Sequence, residues 1–134
     1  MKTQLLACAV VFSVVGCGNQ QDLPDPSAAQ IQAADVAYQD LKQRDFEQFV
    51  QHLDPKLQAH FAENPKLLKK FASSIPKDDM KSKTLMSKQM PSATEYKVSY
   101  EIAYPKNLVQ YDVSFDKPNG SAKITNINIQ VFGE

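Results

Sequence analysis

From residue 27 onward the apolar residues follow two periods, and the change between them falls near residue 84. In the first half they recur every three or four positions. Ile31, Ala34, Tyr38 and Leu41 share one helical face, while Gln32, Asp35, Gln39 and Lys42 share the other. Ser27 and Gln30, just after Pro26, fit a capping box, in which the Ser side chain and the Gln side chain each satisfy a backbone N–H at the helix start. The pattern predicts a helix ending near Arg44. Asp45 then caps a short helix with Phe46, Phe49, Val50 and Leu53 as its buried stripe. Asp54-Pro55 and Asn64-Pro65 each pair a capping residue with a first-turn proline. Two further helices follow, burying Leu57 with Phe61, and Leu67 and Leu68 with Phe71.

In the second half the period is two. Tyr96, Val98, Tyr100, Ile102 and Tyr104 alternate with Lys97, Ser99, Glu101 and Ala103. Val109, Tyr111, Val113 and Phe115 alternate with Gln110, Asp112 and Ser114, and Thr125, Ile127, Ile129 and Val131 alternate with Asn126, Asn128 and Gln130. Pro105-Lys106-Asn107 and Lys117-Pro118-Asn119-Gly120 supply the turns, and Thr84–Met90 reads as a weaker first strand. The expected fold is α+β: N-terminal helices packed on one face of a curved antiparallel sheet of three to four strands.

The chain before residue 27 behaves differently. Lys2 precedes an apolar run, Leu5–Val15, that ends at Gly16-Cys17. Such a run rises only about 16 Å as a helix, short of a bilayer core of roughly 30 Å, so it reads as an export signal rather than a span. Val14-Val15-Gly16-Cys17 resembles the bacterial lipobox. That resemblance implies cleavage between Gly16 and Cys17 and acyl chains, palmitate among them, on Cys17. A thiolate is the nucleophile this chemistry requires. Leu5-Leu6-Ala7-Cys8 looks similar, but too few residues precede Cys8 for an apolar region. Two or three acyl chains hold far more firmly than one, at about 0.8 kcal/mol per buried CH₂. The expected organisation is a signal peptide at 1–16, a lipidated Cys17 with a flexible tether through 26, and one domain at 27–134. Gly18 after the cysteine, in place of Asp, matches the sorting pattern for the outer membrane of Gram-negative bacteria. The expected location is therefore the cell envelope, lipid-anchored and facing the periplasm.

Composition narrows the function. Lys+Arg and Asp+Glu both number 15, and removing residues 1–16 takes away only Lys2, leaving 14 basic against 15 acidic side chains. That balance argues against a nucleic-acid binder. A chain cut before Cys17 retains a single cysteine, which the lipid occupies, so no disulfide is expected. His52 and His60 are separated by the break at Asp54-Pro55 and have no third ligand, so no metal is expected, and no cofactor motif is present. Asn119-Gly120-Ser121 is a turn rather than a glycosylation site.

The order of a capped helix, RDFEQFVQHLDPKL, more helices and a meander closing in KITNINIQVF resembles the NTF2-like (cystatin-like α+β cone) superfamily over about residues 28–132. It is especially similar to small exported bacterial domains of unknown function in that group. Enzymes with this cone, such as ketosteroid isomerase and scytalone dehydratase, resemble one another in using Tyr with Asp or His inside the cone. Here the candidate pocket residues are Tyr38, Tyr96, Tyr100, Tyr104 and Tyr111. Glu101 and Asp112 have the opposite strand parity, so no acid–base pair is evident on that face. The tyrosines read first as core packing with hydroxyls at the rim, and a ligand pocket is the competing reading. Between Lys66 and Lys88, Lys66, Lys69, Lys70, Lys77, Lys81 and Lys83 are candidates for contact with an anionic surface, or simply a solvated face. The function expected from all this is a non-enzymatic binding or accessory module for an envelope protein or a small apolar ligand. The alternatives are a ligand carrier or an isomerase- or dehydratase-like enzyme using the tyrosine-lined cone, and a homodimeric assembly subunit.

Overall fold

The computed structural model describes residues 23–133. The expected signal peptide at 1–16, the cleavage pair Gly16 and Cys17, Cys8 and the first part of the tether lie outside the described residues. Among the described residues no helix is long and apolar enough to cross a membrane.

Four helices come first and four strands follow: α1 (Ala28–Lys42), α2 (Phe46–Val50), α3 (Pro55–Glu63), α4 (Pro65–Ser74), β1 (Ser82–Ser92), β2 (Glu95–Ala103), β3 (Asn107–Phe115) and β4 (Asn126–Gly133). The strands form an antiparallel meander in the order β1-β2-β3-β4. The fold is α+β as expected, with the helices covering one sheet face. That face carries Tyr96, Val98, Tyr100, Ile102, Val109, Tyr111, Val113, Phe115, Ile127 and Ile129, all buried.

Local chemistry explains most boundaries. The Ser27–Gln30 capping box forms in both directions, with Gln30 N–H donating to Ser27 Oγ and Ser27 N–H to Gln30 Oε1. At the other end of α1, Arg44 N–H bonds Leu41 O, Asp45 N–H bonds Asp40 O, and Arg44 takes φ +62°. This is a Schellman closure with Arg where Gly is easiest. Asp45 and Asp54 then cap α2 and α3 through their carboxylates. Asn64 departs from expectation. Its amide donates to His60 O, closing α3, and it makes no side-chain cap bond to α4. Asn64 takes φ −133° and ψ +63°, away from the extended geometry with which Asp54 caps α3, and turns its amide back to His60.

Ile31 also departs from expectation: it is 37% exposed, and its neighbour Gln30 is fully buried instead. The buried stripe of α1 is Gln30, Ala33, Ala34, Ala37, Tyr38 and Leu41. Its small residues let the helix approach the sheet closely, leaving room for tyrosine rings. Gln30 Nε2 donates to Lys117 O and Ser121 O, and Oε1 accepts from Asn119 N–H as well as Ser27 N–H. One amide thus ties the start of α1 to the β3–β4 loop. Leu53 bridges Ile124 on the approach to β4, and both are buried.

The first strand is longer than Thr84–Met90 and irregular. Its register against β2 shifts between Leu85 and Ser87 and again between Gln89 and Ser92. Bulges and Pro91 suit an edge strand, where they discourage pairing with another chain.

Candidate functional site

The period-two pattern of β2 and β3 puts Tyr100, Tyr104 and Tyr111 on the inner side, and the α1 stripe brings Tyr38 down to meet them. Tyr38 and Tyr111 rings lie 4.9 Å apart and tilted, and Tyr100 stacks near Tyr111 at 6.2 Å. Tyr38 Oη and Tyr104 Oη are hydrogen-bonded at 2.8 Å, and Tyr111 Oη donates to Ala34 O at 2.8 Å. Of the five sequence-predicted pocket residues, these four form one cluster. Tyr96 stands apart at the start of β2, where its hydroxyl donates to Pro24 O at 2.5 Å.

Two lysines close the mouth of the cluster. Lys42 Nζ lies 4.8 Å over the Tyr104 ring and donates to Asp78 O. Lys83 Nζ lies 4.8 Å over the Tyr100 ring and pairs with Asp35 Oδ1. Asp35, Tyr38, Gln39, Met80, Lys83, Ile102 and Tyr111 line a cavity of about 250 Å³ here. Sequence patterning had Asp35 and Lys42 on the solvent face of α1. They stand at the seam instead, because the sheet edge reaches around the helix flank. A signal was present in the spacing: Asp35, Tyr38 and Lys42 fall at i, i+3 and i+7.

The electrostatics of the phenols follow from burial. Desolvation, reinforced by the Tyr104 hydroxyl, holds Tyr38 far above the usual phenol range, and desolvation does the same to Tyr111. Tyr100 is pushed up to about 12 by burial, then by Tyr96 and Asp25, and Tyr96 to about 12 by burial and Asp25. Burial lowers the Lys83 ammonium despite the carboxylate beside it. At neutral pH Tyr38, Tyr100 and Tyr111 are therefore neutral phenols. Tyr111 has its proton committed to the helix backbone, and one proton of the Tyr38–Tyr104 pair is spent between them. Among the described residues, Tyr100 Oη is buried without a hydrogen-bond partner.

The other sheet face carries Glu101 and Asp112, as strand parity requires. Asp112 accepts from Gln110 Nε2 at 3.1 Å. Met86, Leu108 and Phe132 are exposed on this side at 58%, 43% and 50%, and they border a groove of about 320 Å³ with Ser99, Glu101 and Gln110. None of this apolar surface was anticipated: Leu108 opens β3 out of phase with its inner residues, and Met86 sits at a bulge.

The six candidate lysines separate. Lys66, Lys69 and Lys70 are exposed on α4, and Lys77 and Lys81 are exposed between α4 and β1. Lys83 does not belong with them, since it is half-buried and paired with Asp35. His52 Nε2 lies 3.3 Å from Asp40 Oδ2, linking α1 to the α2–α3 connection, while His60 is exposed beside Phe61. Among the described residues no group of three metal-ligating side chains occurs. Comparison with protein-family models, with curated proteins and with solved structures finds no match.

Proposed function

We propose that this chain is a lipid-anchored envelope lipoprotein whose NTF2-like domain faces the periplasm as a non-enzymatic binding or accessory module. The observation that carries the reading is Val14-Val15-Gly16-Cys17, placed where a short apolar run gives way to polar residues. An anchor at Cys17 leaves only a few residues before the folded part, which begins by residue 23. The non-enzymatic part is supported by the state of the tyrosine cluster. Three of its four phenols are bonded to one another or to backbone, and the carboxylate at its edge, Asp35, is paired with Lys83. A general base near neutrality is what an isomerase- or dehydratase-like site would need.

Replacing Cys17 by Ala is expected to abolish palmitate labelling and to move the protein from the membrane to the soluble fraction. Unchanged membrane fractionation with no lipid label in the unmodified protein would reject the anchor. A ligand-carrier reading has one observation behind it, the cavity beside Asp35, Tyr38 and Lys83. It requires that filling this cavity by Gln39→Phe weaken binding of a small apolar probe without unfolding the domain.

A further inference from the structure

The residues immediately before α1 do not hang clear of the fold. Pro24 O accepts the Tyr96 hydroxyl at 2.5 Å, Asp25 Oδ1 pairs with Lys88 Nζ at 2.7 Å, and Pro26 is buried. The segment expected to be tether through residue 26 is thus strapped across the inner face at one end of the sheet. Tyr96 is conditioned by this contact, since its buried hydroxyl has Pro24 O as its acceptor.

That end is well defined. It holds the β1–β2 turn at Ala93-Thr94, the N-terminus of α1 and the β3–β4 loop that Gln30 grips. The opposite end holds the β2–β3 turn with Lys106 and the C-terminus of α1. Lys77 and Lys81 are there too, because Lys81 N–H bonds Ala103 O and Lys42 Nζ bonds Asp78 O. Tyr104 follows Tyr96 by eight residue steps along β2 and just past its end, a length of about 26 Å.

We propose that Leu23–Pro26 is a docking strap that orients the domain on the bilayer, with the Tyr96 end toward the headgroups and the Lys77–Lys81 end away from them. The proposal rests on the reading of Cys17 as the anchor. From Cys17 to Leu23 is six residue steps, a reach of at most about 20 Å. That is shorter than the domain, so the domain cannot turn over and set its far end on the membrane. A tether free through Pro26 would reach about 35 Å, enough to let it do so. Lys77 and Lys81, candidates from sequence for an anionic surface or a solvated face, are by this geometry kept off the headgroups and offered to the periplasm.

The test uses full-length lipidated protein in vesicles of phosphatidylethanolamine and phosphatidylglycerol carrying a headgroup-linked nitroxide. A fluorophore is attached through Ala93→Cys or through Lys106→Cys. Quenching at position 93 is expected to exceed that at 106 about threefold. A four-residue Gly-Ser insertion between Asp22 and Leu23, which leaves the fold untouched, is expected to bring the ratio toward one, as is the strap-releasing pair Tyr96→Phe with Lys88→Ala. Equal quenching at both positions in the unmodified tether, or a ratio that neither change moves, would overturn the strap. Failure of the protein to float with vesicles and to carry palmitate would instead sink the anchor reading and the strap together. Flotation with equal quenching sinks the strap alone.

Discussion

Replacing Gln30 by Ala should be among the most damaging changes at a polar residue of this domain. Its amide makes four hydrogen bonds at zero exposure, two from Oε1 and two from Nε2, joining the α1 cap to the β3–β4 loop. A neutral bond contributes about 1 kcal/mol net, and a backbone group left dry costs about 1–3 kcal/mol. Lys117, Asn119 and Ser121 are exposed, so their freed groups can take water, whereas the half-buried Ser27 group regains less. The sum is about 3 kcal/mol, which for a domain of this size lowers Tm by roughly 10–20 °C. Gln30→Leu keeps the volume and loses only the bonds, so it should cost about 2 kcal/mol, most of the same penalty. Ile31→Ala, one residue along and 37% exposed, should cost less than about 1 kcal/mol. Urea unfolding of the domain from residue 23 onward, followed by circular dichroism, gives all three values. An Ile31→Ala loss equal to or larger than that of Gln30→Ala would refute the reasoning. It would return the α1 face to the one expected from hydropathy.

Arg44→Gly should stabilise the domain by up to about 1 kcal/mol, because Gly relieves the left-handed backbone at φ +62° while only an exposed bond to Ser73 Oγ is lost. A fall in the urea midpoint would contradict this. In spectrophotometric titration, Tyr38, Tyr96, Tyr100 and Tyr111 should stay protonated at pH 11 in the folded protein and ionise only near or above 12, whereas unfolding in urea returns them to about 10. Their raised folded values mean that the native state holds these protons more tightly. That contribution to stability is complete below pH 10 and is lost as pH climbs from 10, through about 12 for Tyr96 and Tyr100 and beyond it for Tyr38 and Tyr111. Stability independent of pH between 9 and 12 would show that the cluster is open to water.

Much of the molecule was legible in order along the chain. Helix starts at Ser27, Asp45 and Asp54, the prolines at the starts of α3 and α4, and the parity of β2 and β3 are local chemistry, readable because the interacting groups lie within four residues of one another. The same holds for the inward placement of Tyr100 and Tyr111. The candidate site was legible only in part. That Tyr38 would face Tyr104 across a 66-residue separation, or that Lys83 would leave the other lysines for Asp35, depends on how α1 lies on the sheet. Asn64 carried the residue type of a cap but served the preceding helix, a choice between two neighbours that residue type alone does not encode.

By itself, then, the sequence determined the elements, their order, the buried sheet face and the lipobox-like end of the apolar run, because each is written in periodicity or in adjacent residues. The tertiary structure decided which residue of α1 is truly inside, which tyrosines meet, and that residues 23–26 are held by Tyr96 and Lys88 rather than left as tether. Those outcomes turn on contacts between segments far apart in the chain. There a buried amide with four partners takes the inward position from an isoleucine, and a hydroxyl 72 residues away from its acceptor holds Pro24 on the sheet.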